Sequence, residues 1–495
     1  MIGTASGAVL DGIGAQIVQV EADVTRGLPQ FSIVGLPDSA VTESKLRIRS
    51  AIRNSGMEFP QQRITVNLWP ASVRKRGAGL DLAIAVAILR ASLQIPNQPA
   101  LRTAFCGELG LSGKIVPVDG IINLALELRR NAVNSLYFSS EQAAAGLKIP
   151  PLRWHVVSTL QELIDDLVSP SPARILQFSN TLFHDSDSKQ DMQDVVGLTN
   201  IKRALMIAAA GKHHTLIVGP PGCGKTMLAE RFATILPGIS DEEAIESYAI
   251  LQSAGIKTMP SHRPPLRMPH HSLTTTGLIG GGNFIQPGEV TLAHHGILVL
   301  DELLEFRKKT LEALREPLVH KQIRLSRGGH HTVLPANFQL IGTLNPCSCG
   351  YYGSTSCRCT ERDVTRYWST LSGPLLDRID MVLSIPPRQD TVDKAQGEPS
   401  KTLRQQVVQA QNLLLRKQHR TLQSSSNFLE KTLLFDFTRQ AQALLQRMED
   451  KLHVSKRGIA SIEHVAQSIA AVEGEERVSI EHVEEAAALR MGFKI

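Results

Sequence analysis

Aromatic side chains are scarce in this chain. Phenylalanine, tyrosine and tryptophan together make up 4% of its 495 residues, so its cores must rest on leucine, isoleucine, valine and alanine. Cysteine is scarce too. Of six, four crowd between Cys347 and Cys359 while Cys106 and Cys223 stand alone, which is no framework for a disulfide-stapled secreted fold. No uncharged apolar run approaches the roughly 20 residues that span a bilayer. The opening MIGTASGAVLDGIGAQ lacks a basic start and carries Asp11, which argues against a signal peptide. A cytoplasmic protein without membrane contact is the expectation. A strong charge imbalance is also missing: a net +6 over this length does not mark a nucleic-acid binder, so local clusters must make that case. What remains, 42% apolar and 20% charged residues, is the composition of a globular chain, and its length fits about three domains.

The most informative stretch is TLIVGPPGCGKT, residues 215–226. Residues 215–218 form an apolar, β-branched run that reads as a buried strand. Gly219, Pro220, Pro221, Gly222, Cys223, Gly224, Lys225 and Thr226 then match the G-x-x-x-x-G-K-[ST] phosphate loop. Its glycines turn backbone N–H groups inward around a polyphosphate. Lys225 reaches the β- and γ-phosphates of ATP, and the Thr226 hydroxyl ligates Mg²⁺. The helix that Met227 continues presents its positive N-terminus to the same phosphates. Downstream, GILVLDE (296–302) reads as a buried strand ending in two carboxylates: Asp301 to hold Mg²⁺ and Glu302 to polarise the attacking water. A third strand, 338–343, is followed by Asn345, a polar group placed to orient that water. These features predict ATP hydrolysis.

Other signals lie around this core. Residues 321–334, KQIRLSRGGHHTVL, alternate like a β-hairpin turned by Gly328-Gly329. Lys321, Arg324 and Arg327 have no acid within this stretch, which points to DNA phosphates; the alternative is a solvated basic hairpin. Arg404, Arg416, Lys417 and Arg420 form a secondary basic candidate. Cys347, Cys349, Cys357 and Cys359 make a C-x-C…C-x-C loop, four thiolates suited to one structural Zn²⁺, with free thiols or redox chemistry as alternatives. His270-His271 and His294-His295 lie in a Gly/Pro/His-rich stretch, 263–296; adjacent histidines rarely share one ion, so a polar-core or pore-facing role is preferred to metal. Helices are expected over 39–55, 80–92, 201–210, 241–253, 306–319, 437–448, 458–472 and 480–492, and strands over 15–20, 31–34 and 64–68. Residues 1–165 read as an α+β domain, 166–193 as a Pro/Ser-rich and polar linker, 194–390 as the ATPase core, and 391–495 as a connector with a helical lid.

FSIVGLPDSAVTESKLRIRSAI, RGAGLDLAIAVAIL and CGELGLSGKIVPVDGI in the first domain, together with the phosphate loop and SGPLLDRID (372–380), resemble the YifB/ComM family of magnesium-chelatase-like AAA+ ATPases. The resemblance implies an α/β fold, a P-loop AAA+ module with helical lid preceded by a Lon-protease-like α+β domain. In that domain Gly77 and Ile122 stand where the protease has its nucleophile and lysine, so no peptidase activity is expected. The resemblance makes 263–296 a helix-2 insert, 321–334 a pore hairpin, Asn345 sensor 1, Arg378 the arginine finger with Arg366 in reserve, and Arg457 sensor 2. The implied function is a hexameric ring that drives DNA, a helicase promoting branch migration during natural transformation and homologous recombination, with possible recombination partners. Two alternatives stay open: a chelatase-like motor remodelling a protein partner, and a non-enzymatic DNA-binding scaffold.

Overall fold

The computed structural model describes residues 2–71, 75, 77–97, 102–145, 149–176, 190–256, 258–282, 285–327, 330–386, 397–424, 434–452 and 455–491, with side chains omitted for a few of these, Arg327 and Arg420 among them. The chain divides into two compact units, Met1–His184 with Tyr248–Ser261, and Asp185–Ser247 with His262–Ile495. Residues 177–189 of the sequence-predicted linker, and the Gly328-Gly329 turn, lie outside the described residues.

The first unit contains β1 (Ile2–Asp11), β2 (Gly14–Thr25), β3 (Gln30–Val34), α1 (Ser39–Asn54), β4 (Arg63–Trp69), α2 (Asp81–Ala91), β5 (Thr103–Phe105), the short pair β6 (Glu108–Leu109) and β7 (Ile115–Val116), α3 (Ile121–Arg130), β8 (Ser135–Ser139), β9 (Arg153–Val157) and α4 (Leu160–Val168). Seven of the strands form one mixed sheet in the order β3-β4-β2-β1-β5-β8-β9. Helix α2 is buried along its whole length, as its unbroken apolar run requires. It lies against β1 at backbone distance: a Cβ on Gly3 would stand 2.2 Å from Ala87 O. Gly77 (φ +74°) carries no nucleophile, and Ile122 is a buried residue of α3.

The second unit opens with α5 (Thr199–Gly211), β10 (Thr215–Val218), α6 (Lys225–Ile235) and α7 (Asp241–Ser253), the last running on into the residues grouped with the first unit. It continues through β11 (Leu266–Arg267), α8 (Thr275–Ile279), α9 (Glu289–Leu292) and β12 (Ile297–Leu300). Then come α10 (Lys308–Glu312), α11 (Pro317–His320), the hairpin β13 (Gln322–Arg327) and β14 (His330–Pro335), β15 (Gln339–Leu344), α12 (Glu361–Trp368), α13 (Gly373–Leu376) and β16 (Met381–Ser384). Five strands form an all-parallel sheet in the order β11-β12-β15-β10-β16. A parallel sheet covered by helices needs strands buried on both faces, and every residue of β10, β12 and β15 is buried. The lid follows: α14 (Ser400–Ser424), β17 (Asp436–Phe437), α15 (Arg439–Leu452), α16 (Lys456–Glu473), β18 (Arg477–Val478) and α17 (Ile480–Met491). No described helix is long and apolar enough to cross a membrane.

Two expectations need correction. The single helix expected over 306–319 is instead two short helices, α10 and α11, joined by a 3₁₀ turn at Ala313–Arg315. Pro317 has no N–H to donate and its ring crowds the carbonyl four residues back, so the helix restarts there. The stretch 263–296 is not wholly an insert, because its first residues supply the edge strand β11, paired in parallel with β12.

Sheet and lid are tied by a buried histidine. His213, which follows α5, places Nε2 2.8 Å from Ser468 Oγ of α16. Burial pushes its imidazolium pKa down to about 4, against the opposing pull of Asp380. The ring folds neutral and must charge on unfolding in acid. Its stabilising effect is therefore complete above the ordinary histidine pKa near 6.5 and is lost as the pH falls through about 4, a loss of about 3 kcal/mol at most. Urea denaturation of the full chain from pH 7.5 to 4 should show this loss, and His213→Gln should remove that part of the pH dependence; an identical pH profile in the variant would refute it.

Candidate active site

The order β12-β15-β10 sets three strand ends side by side. In register, Leu300 of β12 pairs with Gly342 of β15, and Leu344 of β15 pairs with Val218 of β10. The loop after β10, the carboxylates after β12 and the residue after β15 therefore meet at the C-terminal edge, where open parallel sheets place their ligands. They line a cavity of about 450 Å³ together with Pro221, Gly222, Gly224, Thr226, Met227 and Tyr367.

Within the loop, Gly222 (φ +74°) and Gly224 (φ +89°) take left-handed conformations that side chains resist, and a Cβ on either would meet no atom within 4 Å. The space beside them is open, as a cradle for an anion requires. Lys225 Nζ donates to Gly219 O at 2.8 Å, Pro220 O at 2.9 Å and Asn345 Oδ1 at 3.1 Å. One ammonium thus spans the phosphate loop and the third strand end. Cys223 differs from its neighbours. Its thiol packs toward the core near Gly219, and burial pushes its pKa up.

The carboxylate side is held by hydroxyls. Thr226 Oγ1 lies 3.1 and 3.0 Å from the two Asp301 carboxylate oxygens and donates to that group. The Thr343 hydroxyl, buried in β15, also donates to Asp301 and accepts the Glu302 N–H at 3.1 Å. That last bond fixes Glu302 at φ +50°, a conformation rare for a residue with a side chain and concentrated at functional sites. The Thr226 and Asp301 oxygens are the hard donors Mg²⁺ takes, and Glu302 stands free of that pair on the rim. Sequence reasoning missed Thr343 and Tyr367. Burial pushes the Tyr367 phenol up to about 12, while the Asn345 N–H opposes the rise.

Arg378 and Arg457 are not among the described residues that line this cavity. They lie near each other: Arg378 is held below the usual arginine range by burial and then by repulsion from Arg457 and Arg315. Its guanidinium donates to Pro374 O, and its Nε is buried with no partner. Neither Asp377 nor Asp380 forms an ion pair with it within 4 Å among the described residues; Asp380 instead accepts from the Ser461 hydroxyl at 2.7 Å and the His214 N–H at 3.1 Å. Arg366 lies in the last turn of α12.

The hairpin pairs Arg324 with Val333 and Ile323 with Leu334. Ile323 is buried and Arg324 exposed, so the alternation is as expected. Lys321 (φ +53°) caps α11 and does not belong to the strand. An acid does lie at the base, bonded to the strand's backbone: Glu316 Oε1 accepts the main-chain N–H of Arg324 at 3.3 Å. The Arg327 side chain lies outside the described residues. In the secondary basic cluster, Arg404 donates to Thr234 O, and Lys417 donates to Glu476 at 3.0 Å and sits over the Phe435 ring. Both are committed to packing the lid, Arg416 is exposed, and the Arg420 side chain lies outside the described residues.

The four clustered cysteines are free, with every Sγ within 4.8 Å of the others. Glu246, His294 and His295 also converge, yet the Asn337 N–H donates to His294 Nδ1 at 2.9 Å. That nitrogen keeps its lone pair for the bond, so the neutral ring carries its proton on Nε2, the atom facing Glu246, which is then no metal ligand. The histidine pair is a polar anchor that holds Glu246 well below the usual carboxylate range.

Three family models cover the chain: "Magnesium chelatase, subunit ChlI" over residues 191–392, "Subunit ChlI of Mg-chelatase" over 20–142, and "Magnesium chelatase, subunit ChlI C-terminal" over 397–490. The chain is 39% identical to the uncharacterised protein YifB of Salmonella typhimurium and 37% identical to YifB of Escherichia coli, in both cases over 97% of this chain and 95% of the relative. It is 35% identical to competence protein ComM of Haemophilus influenzae over the same shares. The all-parallel sheet with its phosphate loop, and this likeness over nearly the whole length, lead to one conclusion: the chain belongs to the YifB/ComM family of magnesium-chelatase-like AAA+ ATPases.

Proposed function

We propose that this chain is a cytoplasmic, ATP-driven DNA motor that works as a homo-oligomeric ring, hexameric by family analogy, and promotes branch migration in recombination and natural transformation. The observation that carries the reading is the convergence of Lys225, Thr226, Asp301, Glu302 and Asn345 on one cavity. Lys225 and the glycine cradle bind the triphosphate. Thr226 and Asp301 would hold Mg²⁺, which supplies charge neutralisation on the phosphate oxygens. Glu302 orients and deprotonates the attacking water, and Asn345 keeps that water in line. A merely binding scaffold would have no use for this set. The likeness to ComM favours DNA as the substrate, and the basic hairpin offers the contact. The chelatase family models favour the second reading, a motor acting on a protein partner. ATPase rates with and without branched DNA separate the two: stimulation supports the DNA motor, and indifference to DNA supports the protein-remodelling one.

Arg378 and Arg457 are assigned to a neighbouring subunit's nucleotide. Arg378 has a buried Nε without a partner and no carboxylate within 4 Å of its guanidinium among the described residues, and a γ-phosphate across a subunit boundary would supply an anion. The four cysteines are assigned to one structural Zn²⁺.

Lys225→Ala should abolish nucleotide binding, whereas Glu302→Gln should keep binding and lower turnover by about 10²-fold or more; normal turnover in the Glu302 variant would remove it from catalysis. Mixing Arg378→Ala chains with Lys225→Ala chains should restore part of the ATPase, because mixed rings contain some sites with both groups intact. Rings that form at every mixing ratio without activity would place Arg378 in a structural role. Arg324→Ala/Arg327→Ala should weaken DNA binding on every sequence and lower its salt slope by about one unit for each phosphate no longer neutralised. Unchanged affinity and salt dependence would leave the hairpin a solvated surface.

A further inference from the structure

The cysteine loop and the phosphate loop touch. Gly350 (φ +85°) lies so close to Pro221 that a Cβ on it would stand 2.6 Å from Pro221 Cδ and 2.7 Å from Cγ. Pro221 lines the nucleotide cavity. The loop also begins and ends on that cavity. Its first cysteine is two residues beyond Asn345, which accepts from Lys225. Its last leads straight into α12, whose capping residue is Thr360. Helix α12 returns Tyr367 to the cavity wall and Trp368, whose Nε1 donates to Pro346 O at 3.0 Å. The path from Asn345 to Trp368 is therefore a closed circuit laid over the phosphate loop.

The sulfurs at its centre fit one soft tetrahedral ion. Four thiolates about 2.3 Å from Zn²⁺ stand about 3.8 Å from one another. The separations are 3.3 Å for Cys347–Cys349, 3.7 Å for Cys349–Cys357 and 4.0 Å for Cys347–Cys357, far beyond the roughly 2.05 Å of a disulfide. The tightest pair is one of the two C-x-C pairs, as its short spacing dictates.

We propose that Cys347, Cys349, Cys357 and Cys359 hold one tetrahedral Zn²⁺ whose role is to position the nucleotide site, by seating Gly350 on Pro221 and fixing Asn345 and Tyr367 across from Lys225. The cysteines are positioning residues: they touch no phosphate and act through the loop they close. The inference rests on the nucleotide-site reading above.

The test uses the full chain and three readouts: metal content, the thiolate-to-metal charge-transfer spectrum after Co²⁺ exchange, and affinity for a fluorescent non-hydrolysable ATP analogue. The wild type should contain about one zinc per chain and give a tetrahedral cobalt spectrum. Cys357→Ser/Cys359→Ser should lose the metal and weaken analogue binding by about tenfold or more. Gly350→Ala should keep metal and spectrum yet weaken analogue binding in the same direction, because the added Cβ strains the left-handed backbone there and pushes the loop off Pro221. A metal-free wild type with no cobalt spectrum overturns the proposal. So does a metal-free cysteine variant, or a metal-loaded Gly350→Ala protein, that binds the analogue with wild-type affinity. Should the cysteine variant not fold, chelator-treated wild type and Gly350→Ala carry the test. A wild type that holds zinc but binds no analogue defeats the nucleotide-site reading itself, and this inference with it; the other outcomes leave that reading standing.

Discussion

The pairing of β15 with both β10 and β12 is the constraint on which the rest of this structure depends. A parallel sheet delivers its strand ends to one edge, and the register decides which residues stand there together. Because Leu344 pairs with Val218 and Gly342 with Leu300, Asn345 ends up beside the phosphate loop and Thr343 beside Asp301. A slip of one residue would turn Thr343 to the opposite face. Asp301 would then lose a donor, and Glu302 would lose the bond that holds its left-handed backbone. The central strands are buried on both faces, and this register cannot be loosened without stranding backbone groups that have no water to turn to.

Electrostatics then divides the labour. At the cavity, cation and carboxylate are each engaged but not with each other: Lys225 is held by carbonyl oxygens and Asn345, Asp301 by two hydroxyls. Elsewhere the arginines near α13 crowd one another, and Arg378 keeps a buried nitrogen unsatisfied. The lid is bound to the core by neutral and charged contacts together: His213 with Ser468, Arg404 with the carbonyl of Thr234, and Arg203 of α5 with Glu473 and Glu485.

Much of this was legible beforehand, and the failures have physical causes. The phosphate loop, the Asp301-Glu302 strand end and the hairpin are contiguous motifs, so spacing alone revealed them. Strand β1 was missed because IGTASGAVLD is built from small residues: Gly3 admits the backbone of α2 and Gly7 the side chains of Leu80 and Ala83, and that packing erases the polar–apolar alternation that marks a strand. Glu316 was overlooked as the hairpin's acid because it precedes the alternating run and reaches Arg324 only through the turn at Lys321. Arg404 and Lys417 read as a free basic cluster because their partners, Thr234 and Glu476, are distant in sequence.

The sequence by itself determined the family, the α/β character of the core and the chemistry of the nucleotide loop, since these rest on residues adjacent along the chain whose backbone requirements are local. Tertiary structure alone decided which distant groups complete the site. Thr343 acquires its role from strand register, Tyr367 from the return of α12, and Pro221 its neighbour Gly350 from the path of the cysteine loop. It also decided the fate of the histidines, where one N–H from Asn337 turns His294 from a potential ligand into an anchor. Contacts of this kind depend on which elements pack side by side, and hydrophobic burial and hydrogen-bond satisfaction settle that over the whole fold at once.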